Sequence, residues 1–160
     1  NRFRVGLSGS FNSTGSRISY HDYSGKIEID QLAKLKALGL FCDYIIVAKS
    51  DVWEPFLSLK VAMGKTNYKL EANIALGDDP LSEEKLVFES KHVLLAPSIG
   101  IRRYLLKSFF VAITAGFVFD AADALRYKEN HDLHLLNAKH EAVRLNWSGL
   151  RLGLCAGVKF

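Results

Sequence analysis

Ser90 and His92 stand two residues apart in FESKHVLL, a spacing that puts both side chains on one face of an extended chain. A hydroxyl beside an imidazole is a candidate nucleophile and base. The imidazole needs a third group to hold its tautomer, and the adjacent Glu89 points to the opposite face. Without that orienter the pair is read as polar lining and the chain as non-enzymatic. His131, His134 and His140 offer no i,i+4 pair and no H-E-x-x-H motif. They are expected to be solvated, with His140 and Glu141 at most a weak metal site, so no metal and no cofactor are expected. GLSGSFNSTG has glycines but neither the lysine nor the strand-to-helix context of a phosphate loop. Cys42 and Cys155 have no zinc spacing; an oxidising compartment would allow a disulfide, and two unpaired small residues are the simpler expectation.

The remaining chemistry is charge, and its placement depends on the strands. The closing stretch SGLRLGLCAGVKF has a period of two: Leu150, Leu152, Leu154, Ala156, Val158 and Phe160 on one face, Arg151, Gly153, Cys155, Gly157 and Lys159 on the other. Five earlier segments alternate likewise. Strand A is Arg2 to Phe11, with an extension through Arg17 to Tyr23, and strand B runs from Lys26 to about Ile46. Strand C is Phe56 to about Ile74, strand D about Lys85 to Tyr104 with Pro97 weakening its pairing, and strand E opens at Phe109. In strand B the apolar face is read as Ile27, Ile29, Ala33, Leu35, Ala37, Gly39 and Phe41. With apolar faces outward, the inward charges are Arg2, Arg4, Lys34, Lys36, Lys60, Arg102, Arg151 and Lys159 against Glu28, Asp30 and Asp120.

Composition narrows the class. One domain is expected over residues 1–160. Hydrophobic residues are 49% and charged residues 24%, and no run approaches the ~18 apolar residues of a membrane helix. A net charge of +4 is spread singly along strands rather than clustered, which argues against nucleic acid. Short connections after B and D alternate with long ones after A, C and E, the rhythm of barrels with short periplasmic turns and longer external loops. The long stretches near Ser13 to Gly25, Ala75 to Glu84 and Tyr127 to Trp147 are therefore assigned outside. In the last, Leu133, Leu136, His140, Val143 and Trp147 recur at helical steps and predict a short amphipathic helix. Phe3, Phe11, Tyr44, Trp53, Phe56, Tyr104, Phe109 and Trp147 are candidates for interfacial girdles, or for ordinary packing.

RFRVGLSGSF, KIEIDQLAKLKALGLFCDY, PFLSLKVAMG, APSIGIRRY with FFVAITAGFVFD, and the closing GLRLGLCAGVKF together resemble small eight-stranded outer-membrane barrels of Gram-negative bacteria, the OmpA-like and OmpX-like superfamily. The resemblance implies an all-β, antiparallel up-and-down transmembrane β-barrel in the bacterial outer membrane, in contact with lipid and lipopolysaccharide. It also implies a carboxy-terminal strand ending at Phe160 that the barrel-assembly machinery reads. Six strands are visible where the family has eight, so two amino-terminal strands are expected to be absent from this chain or supplied by another. An eight-stranded interior is just wide enough for side chains to fill, which favours a plugged basic lumen with a structural role, or one exercised through external loops. The alternatives are a narrow anion-favouring pore and a soluble lipocalin-like barrel holding an anionic apolar ligand. Thirteen small or hydroxyl positions on the polar faces, Gly6, Ser8, Ser98 and Gly100 among them, suit a cramped lumen better than a solvated surface.

Overall fold

The computed structural model describes residues 2–22, 25–46, 53–76, 79–105 and 109–158. Its strands are β1 (Phe3–Asp22), β2 (Gly25–Ile45), β3 (Trp53–Leu76), β4 (Asp79–Tyr104), β5 (Phe109–Ala122), β6 (Arg126–Tyr127) and β7 (Gly149–Val158). They form one antiparallel sheet in the order β1-β2-β3-β4-β5-β7, with β6 continuing the β5 side of β4. The sheet curls into a half-barrel. Within the described residues β1 and β7 each have one edge with no partner strand.

The strands are longer than the sequence pattern marks. β1 runs on through Asn12 to Ser16 into the extension expected from Arg17, pairing with β2 from Phe3↔Tyr44 through Asp22↔Gly25, so most of the stretch from Ser13 assigned to a loop is ladder. β3 and β4 likewise pair up to Leu76↔Asp79. Polar residues hid this, because toward these hairpin ends both parities carry polar side chains and alternation no longer marks the strand. Pro97 has the expected effect on one side only. It pairs with Leu59 of β3, while the β4–β5 register passes from Leu95↔Phe119 to Ser98↔Gly116 without it, since proline has no N–H to give the second neighbour.

Cross-strand register decides which face each residue takes. Phe3, Val5 and Leu7 lie opposite Tyr44, Cys42 and Leu40, which lie in turn opposite Leu57, Leu59 and Val61. These residues share the outer face, where Leu7 is 76% and Leu152 88% exposed. The opposite face holds the buried residues Ala33, Leu35, Ala37, Phe56, Ala62, Leu94 and Ala112. For β2 this reverses the expected orientation: Ala33, Leu35, Ala37, Gly39 and Phe41 point inward, while Lys34 and Lys36 point outward with Leu38 and Leu40. Both parities of LAKLKALGLF contain apolar residues. The lysines made the wrong set look like lumen, whereas three small residues and Asp43 on the other parity mark the true inner face.

The predicted helix is not formed; the described residues contain no helix. Residues 123–148 make extended passes tied by a ring of backbone bonds, Leu125 N–H to Val143 O, Val143 N–H to Leu135 O and Leu135 N–H to Leu125 O, around the fully buried Leu125. Asn130 accepts the Asp132 N–H, and Asn137 accepts the N–H groups of Lys139 and Glu141, before His140 at φ 61°. These side-chain turns compete with helical hydrogen bonds and win.

At the end of the sheet near Tyr104, three inward phenylalanines face glycines directly across the ladder: Phe41 and Gly6, Phe56 and Gly100, Phe110 and Gly157. A Cβ at Gly100 would stand 2.5 Å from Phe56 Cζ. The rings lie where those side chains would be, a device that pins register. Gly100→Val is expected to displace Phe56 and cost about 1–3 kcal/mol, read as a lower urea midpoint, whereas Gly9→Ala, with no heavy atom within 4 Å of its added Cβ, leaves the midpoint nearly unchanged.

Candidate functional site

Two polar clusters occupy the inner face, one at each end of the apolar stretch. The first is centred on Arg102, inward on β4. Its guanidinium sits 4.5 Å from the ring centroids of both Phe56 and Phe110. It donates to Asp43 of β2 at 2.5 Å and to Glu54 of β3 at 2.8 Å. Arg4 of β1 grips Glu54 with both amino groups, at 2.7 and 2.8 Å, and donates to the Tyr104 hydroxyl. Residues of β1 to β5 thus converge on one buried charge. Among the described residues Arg102 Nε finds no partner, and the guanidinium is held there by the carboxylates and rings.

The second cluster is built from β4 and β5 at the other end. Ser90 and His92 are both inward and buried, and the Ser90 hydroxyl lies 2.6 Å from His92 Nε2. The missing orienter is Asp120 of the neighbouring β5, with Oδ2 2.9 Å from His92 Nδ1. An ionised carboxylate only accepts hydrogen bonds, so Nδ1 carries the proton and Nε2 is left to accept from the serine. Nothing in the local sequence marks Asp120 as the partner of His92, since they are 28 residues apart and meet only because His92 pairs with Ala122 and Leu94 with Asp120.

Trp147 lies over this group. Its backbone N–H donates to Asp120 Oδ2 at 2.9 Å, and its indole N–H to Thr66 of β3 at 3.1 Å. Thr66 is directly across the ladder from Ser90 and fully buried. The tryptophan therefore spans from β5 to β3 across the β4 residues between them. Its ring packs on the core cluster of Leu35, Ala37, Ala62 and Leu94. Below it a cavity of about 930 Å³ extends along the inner face to the Arg102 cluster, with Ser58, Lys60, Ala96, Thr114 and Gly116 on its wall.

The other expected lumen residues divide. Arg4, Lys60, Arg102 and Asp120 face inward. Arg151 shares the inward parity of β7 but is exposed, donating to the Trp147 carbonyl. Arg2 precedes β1 and is exposed. Lys34, Lys36, Glu28 and Asp30 stand on the outer parity of β2, as the reversed orientation requires. Lys159 and Phe160 lie outside the described residues. Of the girdle candidates, Phe56, Tyr104 and Trp147 belong to the inner face, whereas Phe3, Phe11 and Trp53 are exposed on the outer one. Both cysteines are free, Cys42 on the outer face and Cys155 on the inner parity, its thiol near the Ala112 carbonyl. His131, His134 and His140 are exposed.

No family model matches the chain, and neither curated proteins nor solved structures give a significant match.

Outside the apolar stretch, a row of charges crosses four strands at one level: Arg17, Asp30, Glu71 and Lys85. The Arg17 guanidinium holds the Asp30 carboxyl below its ordinary range by a hydrogen bond and by charge, and Lys85 does the same for Glu71. A carboxylate lowered on folding stabilises above its unfolded range and loses that contribution as pH falls through the folded value. Amide protection factors around Asp30 and Glu71, taken relative to the intrinsic exchange rate at each pH, are therefore expected to be lower at pH 3 than at pH 6, with the difference reduced in 1 M salt; equal protection at both would count against it. For the buried cluster, Arg102→Met leaves Asp43 without its cation and is expected to cost about 3–5 kcal/mol. Arg102→Met with Asp43→Asn recovers part of the loss in urea unfolding, because the stranded charge is removed.

Proposed function

We propose that the chain forms the wall of a bacterial outer-membrane β-barrel, its basic interior closed by side-chain clusters at either end of the cavity and its role structural or exercised through the surface beyond the apolar stretch. The observation that carries this is the arrangement of the outer face. Between the Lys36 row and the end of β2, the stretch Ala37 to Ile45 has the roughly nine to eleven residues of a tilted membrane strand. Its outward residues are matched by apolar neighbours on every strand, Leu38 by Gly9 and Met63, Leu40 by Leu7 and Val61. In water so broad an exposed apolar surface is an aggregation liability; in lipid it is required.

The stretch ends abruptly at a row in which Phe11, Lys36, Lys65 and Lys91 lie directly opposite one another. Like charges on adjacent strands repel, and the bridge from Lys65 to Glu89 at 2.5 Å relieves only part of that. Anionic headgroups such as the phosphates of lipopolysaccharide would neutralise the rest, as expected at a membrane boundary. At the opposite border Phe3 packs at a tilt against Tyr44, and Arg103 sits 5.0 Å from the Trp53 ring; Tyr44 and Trp53 are the amphipathic aromatic residues favoured at such an interface. The free edges of β1 and β7 support closure by further strands or by another chain, because unpaired backbone in hydrocarbon costs several kcal/mol per group. A carboxy-terminal strand read by the barrel-assembly machinery is part of the same proposal.

The alternatives gain less support. An anion-selective pore lined by Lys34 and Lys36 loses both residues to the outer face. A lipocalin-like cavity needs the Leu and Phe face turned inward, and it is the exposed one. The protein is expected to need detergent for extraction and to migrate faster on gels when unheated. In vesicles of brominated lipid, Trp53, exposed on the outer face, is expected to be quenched and Trp147 spared, each read in a variant retaining that single tryptophan. Release into plain buffer, or equal quenching of the two, would overturn the membrane assignment.

A further inference from the structure

We propose that Ser90, His92 and Asp120 form a serine ester-hydrolase site, gated by Trp147 and opening onto the central cavity. This goes beyond the membrane assignment and does not rest on it, since the three residues lie on the inner face whatever surrounds the outer one. The connectivity carries the proposal. Serine meets Nε2 and carboxylate meets Nδ1, the roles needed for the imidazole to accept the serine proton while its other nitrogen is held. Asp120 accepts in addition the Trp147 N–H, which fixes the carboxylate as well as the ring. A polar lining assembled only to fill space would require hydrogen bonds, but not this order of atoms.

Burial supplies the second half. Ser90 is 4% exposed, so a substrate reaches it only if a neighbouring group moves. Trp147 is the group placed to do so: it bridges from Asp120 to Thr66 and also lines the 930 Å³ cavity on its other side. Rotating its indole breaks one side-chain hydrogen bond, to Thr66, and joins Ser90 to the cavity. The Thr66 hydroxyl only accepts from the indole and directly faces Ser90 across the ladder, so once the indole has swung aside the threonine O–H can donate to an oxyanion that enters there. The cavity wall includes Leu35, Leu94, Ala96, Ala112 and Val118, surfaces that fit an apolar acyl chain, so the substrate class is a carboxylic ester of such a chain.

In the step itself, Ser90 Oγ attacks the ester carbonyl carbon as His92 Nε2 takes the hydroxyl proton. The carbonyl–alkoxy bond breaks, and the proton passes from His92 to the departing alcohol. Water then attacks the acyl-serine through the same imidazole, releasing the carboxylic acid and restoring Ser90. Asp120 is a positioning residue that meets the imidazole and the Trp147 N–H but none of the reacting atoms.

The test is covalent labelling of the full chain, purified in mild detergent, with a fluorophosphonate bearing a long alkyl chain and with the label mapped by mass spectrometry. The expected results are label on Ser90, none at that site in Ser90→Ala, and at least a hundredfold slower labelling in Asp120→Asn with unchanged gel mobility. Trp147→Phe, which keeps the packing but loses the indole donor, is expected to label several-fold faster than wild type; Trp147→Ala adds a wider opening if it folds. A network with only a structural role would lower the urea midpoint of Ser90→Ala and show no label in either wild type or Trp147→Phe, and that pair of results would overturn the proposal. Label mapped to another serine would overturn it equally. Failure of the membrane assignment would appear instead in the extraction and quenching experiments, with the labelling unaffected.

Discussion

A guanidinium removed from water sits near one end of the inner face, and much of the sheet is arranged around it. Taking such a charge into an interior costs several kcal/mol unless partners surround it. Arg102 has Asp43 and Glu54 at its amino groups and an aromatic ring on each side. Those partners come from different strands, so satisfying one charge sets the positions of β2, β3, β4 and β5 relative to each other. Each flanking ring in turn requires glycine opposite it, because Gly100 and Gly157 leave the space that Phe56 and Phe110 occupy. A slip of one residue would turn the whole inner set outward, stranding the arginine and placing its carboxylates on the apolar surface. Charge and register are thus two statements of one constraint.

The other end of the inner face is organised differently. There the chain after β5 folds back over the sheet, and the polar groups beneath it are neutral or singly charged and satisfied in sequence, from Ser90 to His92 to Asp120 to the Trp147 backbone. The covering segment has little regular structure of its own and is secured by backbone bonds, within itself and to β4, together with the side chains it meets. Trp147 is central because it joins three things that would otherwise be independent: the hydrogen-bonded group on β4 and β5, the Leu35 and Leu94 core cluster, and the cavity between the two polar ends.

Much of this was legible from residue order. Alternation in Arg2 to Phe11, Phe56 to Met63, Val93 to Ile101 and Leu150 to Ala156 marks strands whose faces the structure bears out, because on each one parity is apolar throughout and the other is small or polar apart from the buried Phe56 and Leu94. β2 misled for a physical reason: its inner residues are alanine, leucine and glycine, its outer row passes from leucine to lysine at a boundary, and a single strand carries no information about where that boundary lies. Only its neighbours supply it, through Lys65 and Lys91 on β3 and β4. The segment from Tyr127 to Trp147 misled because spacing reports which residues could share a helical face but not whether asparagine side chains will capture the backbone first. Ser90 and His92 were visible as a pair, while Asp120 was visible only as an inward charge, since the contact between them depends on a register that no local pattern records.

Five antiparallel ladders separate β1 from β7, so the two open edges run in opposite senses. They can meet each other in an antiparallel ladder, or be joined in one through a hairpin, but a lone strand laid between them would be parallel to one neighbour. In an all-antiparallel ring, completion therefore proceeds by whole hairpins or by direct closure, and odd-numbered assemblies are ruled out by direction alone. The same rule holds for two copies of this chain meeting edge to edge, where twelve long strands would alternate without a fault.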